Sequence, residues 1–226
     1  MVAAKTNKTR TAYGQAEPPG SPVKKLPLYK QLLSLDRDLA MICSVSADEN
    51  SSLANLRPFL KLLEYSGHGI PWLLGVFVVM YLTNEKDPKL FQIAFNILFA
   101  LVLDLVVSGT LKAIVRRPRP STNSSSDMFF VVSVDHFSFP SGHTTRATML
   151  AVLVLIRLPL SVLTQYLSIV WAFCIAASRV MLGRHHLSDV FFGAIIGYVQ
   201  ALAVQHYWFE VNDVDGILQL FKLWKS

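Results

Sequence analysis

Five long apolar blocks, separated by short polar joints, occupy most of the chain from residue 68 onward. Hydrophobic residues make up 52% of the 226 positions, and these blocks leave little polar face of the kind that soluble amphipathic helices show. Several blocks approach the about 20 residues that an α-helix needs to cross a bilayer. We therefore predict an all-α integral-membrane helical bundle of one domain, with a large soluble all-helical core as the less favoured alternative.

The blocks predict a transmembrane domain over 67–210 with about five transmembrane helices, at 68–83, 90–115, 141–159, 160–182 and 187–209. Five crossings bring the end of the second helix, the start of the third, the end of the fourth and the start of the fifth to one face of the membrane. The unusual polar residues of the chain cluster at these four points. We therefore expect a functional site on that face.

The segments outside the transmembrane domain have a different character. Residues 1–27 predict a disordered basic tail without the apolar core of a signal peptide. Residues 28–66 predict amphipathic helices, because apolar side chains recur at three-to-four spacing from Leu28 to Ile42 with charged residues between them. Such a helix suits the membrane interface, and a soluble helix packed on the domain stays an alternative. Residues 211–226 predict a C-terminal amphipathic tail.

Three polar stretches on the shared face suit a phosphate group: KAIVRRPRP, PSGHTTRAT and SRVMLGRHHLSD. A Pro-Ser-Gly turn that opens a helix presents free backbone N–H groups, which favour an anion. Lysine and arginine add charge and a guanidinium fork for phosphate oxygens. Five further cations are instead expected to snorkel to the interface: Arg116, Arg117, Arg146, Arg157 and Arg184.

Spacing distinguishes the two adjacent histidines. His185 and Asp189 are four residues apart, so on a helix the carboxylate would hold one imidazole nitrogen and leave the other free to attack. His186 is predicted to point away from His185 and, like His68 and His136, to be a surface or interfacial residue.

Other polar and small residues of the helices predict packing. Asp104, inside the second transmembrane helix, is expected to form a structural hydrogen bond toward a neighbouring helix. The stripe of Gly193, Gly197 and Ala201 predicts close packing within the bundle.

The three stretches together resemble the type 2 phosphatidic acid phosphatase (PAP2) family, integral-membrane lipid phosphate phosphatases that share their site with vanadium haloperoxidases. The likeness covers roughly residues 60–210 and rests on Lys112-x6-Arg119-Pro120, Pro140-Ser141-Gly142-His143 and Ser178-Arg179-x5-His185-x3-Asp189. It implies that His185 is a nucleophile that becomes phosphohistidine, that Asp189 orients it, and that His143 protonates the leaving oxygen. It also implies that the phosphate is bound by Lys112, Arg119, Ser141, Gly142 and Arg179. No metal ion and no cofactor are expected.

Within the family, the chain looks most like the polyisoprenoid diphosphate phosphatase branch, which includes presqualene diphosphate phosphatase. This resemblance implies metal-independent hydrolysis of presqualene, farnesyl or geranylgeranyl diphosphate, with phosphatidate and sphingoid phosphates as further candidates. The expected partners are a lipid phosphate and the bilayer, without nucleic acid, and the sequence leaves the oligomeric state open. A non-catalytic PAP2-like scaffold at the endoplasmic reticulum or nuclear envelope is the alternative.

Charge predicts the orientation. Of the 21 lysines and arginines, 16 lie on the face of the predicted site and five on the other face. The positive-inside tendency therefore places the site on the cytosolic side of the membrane. The resemblance to the polyisoprenoid branch implies the endoplasmic reticulum or nuclear envelope as its location.

Overall fold

The structure is a computed structural model that describes residues 27–83, 86–123, 136–214 and 216–217. Every regular element within these ranges is helical. The predicted basic tail, apart from Pro27, and most of the predicted C-terminal tail lie outside the described residues. Seven α-helices and one 3₁₀ turn are assigned with full bounds: α1 (Leu28–Cys43), the 3₁₀ turn (Ala54–Leu56), α2 (Arg57–Ser66), α3 (Gly69–Thr83), α4 (Pro88–Val115), α5 (Gly142–Arg157), α6 (Val162–Met181) and α7 (Leu187–His206).

The helix boundaries follow local chemistry. Asp87 caps α4 by accepting a hydrogen bond from the Leu90 N–H at 3.0 Å, and Pro88 fills the first turn, where no N–H is needed. The same helix ends at Arg116, whose backbone is left-handed with φ of 49°. Ser161 caps α6 in the same manner as Asp87. These boundaries agree with the predicted transmembrane segments to within about three residues.

Three helices, α4, α6 and α7, have the length and apolar composition to cross a membrane. The segment Ala54–Ser66 and α3 pass the same test together as a fourth crossing that is bent by 46°. Helix α5 has 16 residues, which is short of a full crossing at 1.5 Å per residue. An all-α membrane bundle is therefore confirmed, whereas the predicted number of five crossings stays a prediction.

Helix α1 exposes its apolar residues. Leu28, Leu32 and Ile42 are among the large side chains that it leaves exposed, and Ala40 is its one buried residue. Asp36, on the side that meets the bundle, contacts the start of α7. The interfacial position predicted for this helix agrees with that pattern and stays a prediction.

Glycines bring α5 and α7 into close contact, as predicted. A Cβ at Gly197 would overlap the Thr145 carbonyl oxygen, and one at Gly193 would lie 3.3 Å from the Ser141 carbonyl oxygen. Ala201 continues the stripe and is fully buried. This approach places the starts of the two helices side by side, where the Ser141 N–H donates to the Asp189 carbonyl at 3.2 Å.

Asp104 joins α4 to α5, which confirms its predicted structural hydrogen bond. Thr145 Oγ1 donates to Asp104 Oδ1 at 2.6 Å, and Arg146 Nη2 lies 2.9 Å from Asp104 Oδ2. Arg146 also donates to the Gly67 carbonyl at 3.1 Å. The prediction that Arg146 snorkels was wrong, because a buried carboxylate in the bundle needs a cationic partner.

Candidate active site

The backbone brings the three polar stretches together at one end of the bundle. Lys112 Nζ, near the end of α4, donates to the Phe137 carbonyl at 3.1 Å. Arg119 Nη1 donates to the Arg184 carbonyl at 3.2 Å. Side chains of the first stretch are therefore bonded to the backbone just before the second stretch and to that of the third, so residues far apart in the chain form one site.

His185 lies in the loop between α6 and α7 and is 2% exposed. Its Nδ1 is 2.7 Å from the Ser138 carbonyl oxygen, and because a carbonyl can only accept, Nδ1 carries the proton. The neutral ring therefore keeps its lone pair on Nε2, the form that a nucleophile requires. Burial lowers the pKa of His185 well below 6.5, and the charges of Arg119, Arg179 and Lys112 lower it further.

Asp189 bonds to a different histidine from the one predicted. Asp189 Oδ2 is 3.9 Å from His185 Nδ1, but it accepts from the His186 N–H at 2.9 Å and lies 3.0 Å from His186 Nδ1. The prediction assumed a helix that runs through His185, whereas α7 begins at Leu187. His186 is therefore the N-cap residue and Asp189 the third helical residue, so the two form a capping box. The surface position predicted for His186 was also wrong, because this capping residue is buried.

His143, the second residue of α5, lies near the same cations. The charges of Arg179 and Lys112 act on His143 as well as on His185. Its Nε2 is buried without a hydrogen-bond partner among the described residues, and its ring centroid is 5.7 Å from that of His68. A buried nitrogen without a partner is typical of a site that completes its hydrogen bonds with a ligand.

The first turn of α5 provides space for an anion. A Cβ at Gly142 would meet no atom within 4 Å, so the region beside the helix start is open. Ser141 is fully buried, and its hydroxyl accepts from Thr144 Oγ1 at 2.9 Å. The backbone N–H of Ser141 is used by Asp189, which leaves the Gly142 N–H as the better placed of the two predicted donors.

Arg179 and Arg184 share a carboxylate that sequence reasoning missed. Arg179 Nη1 is 2.9 Å and Arg184 Nε is 3.9 Å from Glu64 Oε1, and all three side chains are buried. The snorkelling predicted for Arg184 was wrong, because this side chain is 1% exposed and donates to Asn123 Oδ1 at 3.2 Å. Glu64 follows Leu60 by four residues on α2, so its place on the buried face of an amphipathic helix was the available signal.

Arg117 connects α1 to the start of α7. Its guanidinium lies 2.6 Å from Asp36 Oδ2 and 2.7 Å from Asp189 Oδ1, and it also donates to Ser188 Oγ at 2.6 Å. Asp36 accepts from the Ser188 N–H at 3.1 Å. The snorkelling predicted for Arg117 was therefore wrong, since two carboxylates hold it against the protein beside the site.

Comparison with known proteins decides the family. A model described as "PAP2 superfamily" matches residues 93–213, which is more than half of the chain. The chain belongs to the PAP2 superfamily. The predicted family is thus confirmed, and the matched region contains all three PAP2 motifs. Helices α1, α2 and α3 precede it, so Asp36 and Glu64 lie outside the PAP2 match.

Two curated relatives carry related names. The chain is 34% identical over 141 residues to "Probable lipid phosphate phosphatase beta" of Arabidopsis thaliana, which covers 51% of this chain and 66% of that protein. It is 33% identical over 110 residues to "Lipid A 4'-phosphatase" of Bacteroides thetaiotaomicron, which covers 46% of this chain and 47% of that protein. The PAP2 chain thus spans less than two thirds of the length of either relative.

Two solved structures share the PAP2 fold. The crystal structure of Aquifex aeolicus LpxE superposes with a TM-score of 0.55 at 26% identity, covering 76% of this chain and 96% of that one. A transmembrane PAP2-type phosphatidylglycerolphosphate phosphatase from Bacillus subtilis superposes with a TM-score of 0.58 at 20% identity, covering 78% and 86%. The apolar helices and these transmembrane neighbours together make the chain an integral membrane protein.

Proposed function

We propose that this protein is a lipid phosphatase that works through a phosphohistidine intermediate without a metal ion. The observation that carries the proposal is the state of His185. The Ser138 carbonyl holds Nδ1 with its proton, which leaves the lone pair of Nε2 for attack, and the charges of Lys112, Arg119 and Arg179 act on the same ring. The curated names of the PAP2 relatives support the same activity.

The reaction would proceed in two steps. His185 Nε2 forms a bond to the terminal phosphorus while the bond from that phosphorus to the leaving oxygen breaks, and His143 gives that oxygen a proton. The leaving group is the lipid alcohol for a monophosphate and the lipid monophosphate for a diphosphate. Water then forms a bond to the phosphorus while its bond to His185 Nε2 breaks, His143 takes a proton from the water, and inorganic phosphate leaves. General acid–base help of this kind contributes about 10²–10⁴ in rate.

The cations and the helix start would stabilise the charge on the phosphoryl oxygens. Lys112, Arg119 and Arg179, together with the Gly142 N–H and Ser141, are the groups that we assign to this task. Preorganised donors of this kind are each worth about 10²–10³ in turnover. Asp189 would act through His186 and Arg117, which fix the start of α7 beside His185.

The substrate that we propose is a lipid with a single phosphate or diphosphate head at the membrane boundary. Isoprenoid diphosphates such as presqualene, farnesyl and geranylgeranyl diphosphate are the first candidates, followed by phosphatidate and sphingoid phosphates. We further propose that the protein resides in the endoplasmic reticulum or nuclear envelope with its site facing the cytosol. Asn7, Asn50 and Asn123 begin glycosylation sequons on that face, so an N-glycosidase should leave the mobility of the protein unchanged.

The deciding experiment uses the full chain in lipid nanodiscs with EDTA present. We expect phosphate release from at least one lipid of the panel and a loss of about 10⁴-fold or more in His185→Ala, the size seen when a nucleophile is removed. His136→Ala is the matched control, because His136 is exposed and has no part in the site. Acid-labile label on the protein after rapid quenching of a ³²P-labelled substrate would identify phosphohistidine. Equal release by wild type and His185→Ala would exclude the mechanism, and no release from any lipid would favour the scaffold.

A further inference from the structure

An anionic side chain pairs with one of the cations that the proposed function assigns to the phosphate. Glu64 comes from α2, is 7% exposed, and directs its carboxylate at Arg179. Arg179 is one of the three cations assigned to the phosphate, and its charge acts on both His185 and His143. Glu64 is therefore within the electrostatic reach of the reaction centre, although no PAP2 motif contains it.

Burial of Glu64 requires its pairing with arginine. A carboxylate removed from water is costly unless cations and hydrogen bonds replace the water. Arg179 at 2.9 Å and Arg184 at 3.9 Å provide that charge. The pairing also benefits the site, because Lys112, Arg119, Arg179 and Arg184 would otherwise repel one another there.

Glu64 neutralises Arg179 without using up its donors. A guanidinium has five N–H donors. Nη1 of Arg179 pairs with Glu64 at 2.9 Å, whereas Nε is buried without a hydrogen-bond partner among the described residues. Because buried donors are normally satisfied, the Nε–H group indicates a site that binds a further acceptor.

We propose that Glu64 is the resident anion of the phosphate site: it holds Arg179 in position while the site is empty, and its charge weakens phosphate binding so that the product leaves. This inference rests on the proposed function and adds a residue to the proposed site. When phosphate binds to Arg179, two anions share one guanidinium, and like charges this close raise the free energy of the bound state.

The proposal predicts an unusual sign for a substitution in a binding site. Glu64→Gln removes the charge and keeps an oxygen that can accept from Arg179. Inorganic phosphate should then bind roughly tenfold more tightly, as expected for loss of one nearby like charge at an intermediate dielectric. A residue that only supports the structure would, when changed, leave phosphate binding equal or make it weaker.

The test titrates inorganic phosphate into the full chain in lipid nanodiscs by calorimetry and measures its inhibition constant as product. Glu49→Gln is the matched control, because it makes the same change of charge on an exposed residue. Tighter phosphate binding in Glu64→Gln, with Glu49→Gln equal to wild type, supports the proposal. Equal or weaker binding in Glu64→Gln overturns it.

A second variant controls for misfolding of Glu64→Gln. Glu64→Ala also removes the charge, and it should tighten phosphate binding with the same sign. If neither variant yields folded protein, Glu64 is needed for folding and the proposal is overturned. Phosphate binding is measured separately from catalysis. A wild type that binds phosphate but hydrolyses no lipid contradicts the proposed function. An active wild type whose phosphate affinity is unchanged in Glu64→Gln contradicts this inference alone.

Discussion

The Asn96 cluster and the proposed site, at opposite ends of the bundle, both bury polar side chains but use them differently. Asn96 Nδ2 donates to the Gln92 and Phe209 carbonyls, each at 2.9 Å, and its Oδ1 accepts from the Phe209 N–H at 3.0 Å. Gln92 Nε2 adds bonds to the Phe209 carbonyl and to Glu210. Both the nitrogen and the oxygen of the Asn96 amide are thereby engaged, and the segment after α7 is tied to α4.

At the proposed site, polar atoms remain unused. His143 Nε2 and Arg179 Nε are buried without a hydrogen-bond partner among the described residues. A saturated network stabilises a fold, whereas a network with unused donors costs stability and gains affinity for an anion. Satisfaction of hydrogen bonds, rather than burial or polarity, separates the Asn96 cluster from the proposed site.

Arg179→Gln tests the proposed site most directly. We expect turnover of the lipid phosphate to fall by about 10²–10³-fold, because a donor aimed at developing charge is lost. Arg157→Gln is the control at the other end of the bundle. Among the described residues its Nε also lacks a hydrogen-bond partner, but its Nη2 donates to the Gln205 carbonyl and its guanidinium lies 4.8 Å from the Trp208 ring. Comparable losses in both variants would contradict the division between the two regions.

Arg117→Gln tests whether the surface helix α1 supports the site. Loss of the guanidinium removes the bridge between Asp36 and Asp189, so we expect turnover to fall by roughly tenfold, or about 1.4 kcal/mol, with little change in KM. Asp36→Asn should show a smaller loss, because the introduced amide can still bond to Ser188. Steady-state kinetics on a short-chain lipid phosphate would measure both, and Arg37→Gln, on an exposed neighbour of Asp36, is the control.

The pH profile tests the charges around His185. The attacking ring must be neutral, and its pKa is lowered well below 6.5, so kcat/KM should stay near its maximum as the pH falls through 6.5. Arg119→Gln removes one of the charges that lower the pKa of His185, so the acid limb should move to higher pH. The pH profiles of wild type and Arg157→Gln on the same substrate control for titration of the substrate's own phosphate. A shift to lower pH would contradict the assignment.

Asn96→Ala has the smallest expected effect on activity and tests the Asn96 cluster. Kinetic constants should equal those of wild type, while thermal unfolding should show a loss of about 2–3 kcal/mol from three hydrogen bonds. Reduced turnover without reduced stability would show that the two regions are coupled.

Much of the architecture follows from the sequence. The apolar blocks predicted α3 to α7 to within about three residues, because a helix in a bilayer must satisfy its backbone within one segment. The glycine stripe predicted the approach of α5 and α7, since only a residue without Cβ permits that contact. The motif spacings predicted the family, and the structure brings Lys112, Arg119, Arg179 and His185 into one electrostatic environment.

The sequence could not decide which groups pair across the site. Helical spacing predicted that Asp189 bonds to His185, but α7 begins only after His186. The Asp189 carboxylate therefore bonds to His186 in a capping box, and His185 Nδ1 bonds to the Ser138 carbonyl instead. Arg117, Arg146 and Arg184 were all predicted to be interfacial cations, yet each pairs with a carboxylate from a distant segment of the chain. Periodicity and spacing act within one segment, and so the sequence alone determined the helices and the motif residues. Pairing depends on distances between segments, and only the tertiary structure placed Glu64 on Arg179 and Asp36 on Arg117.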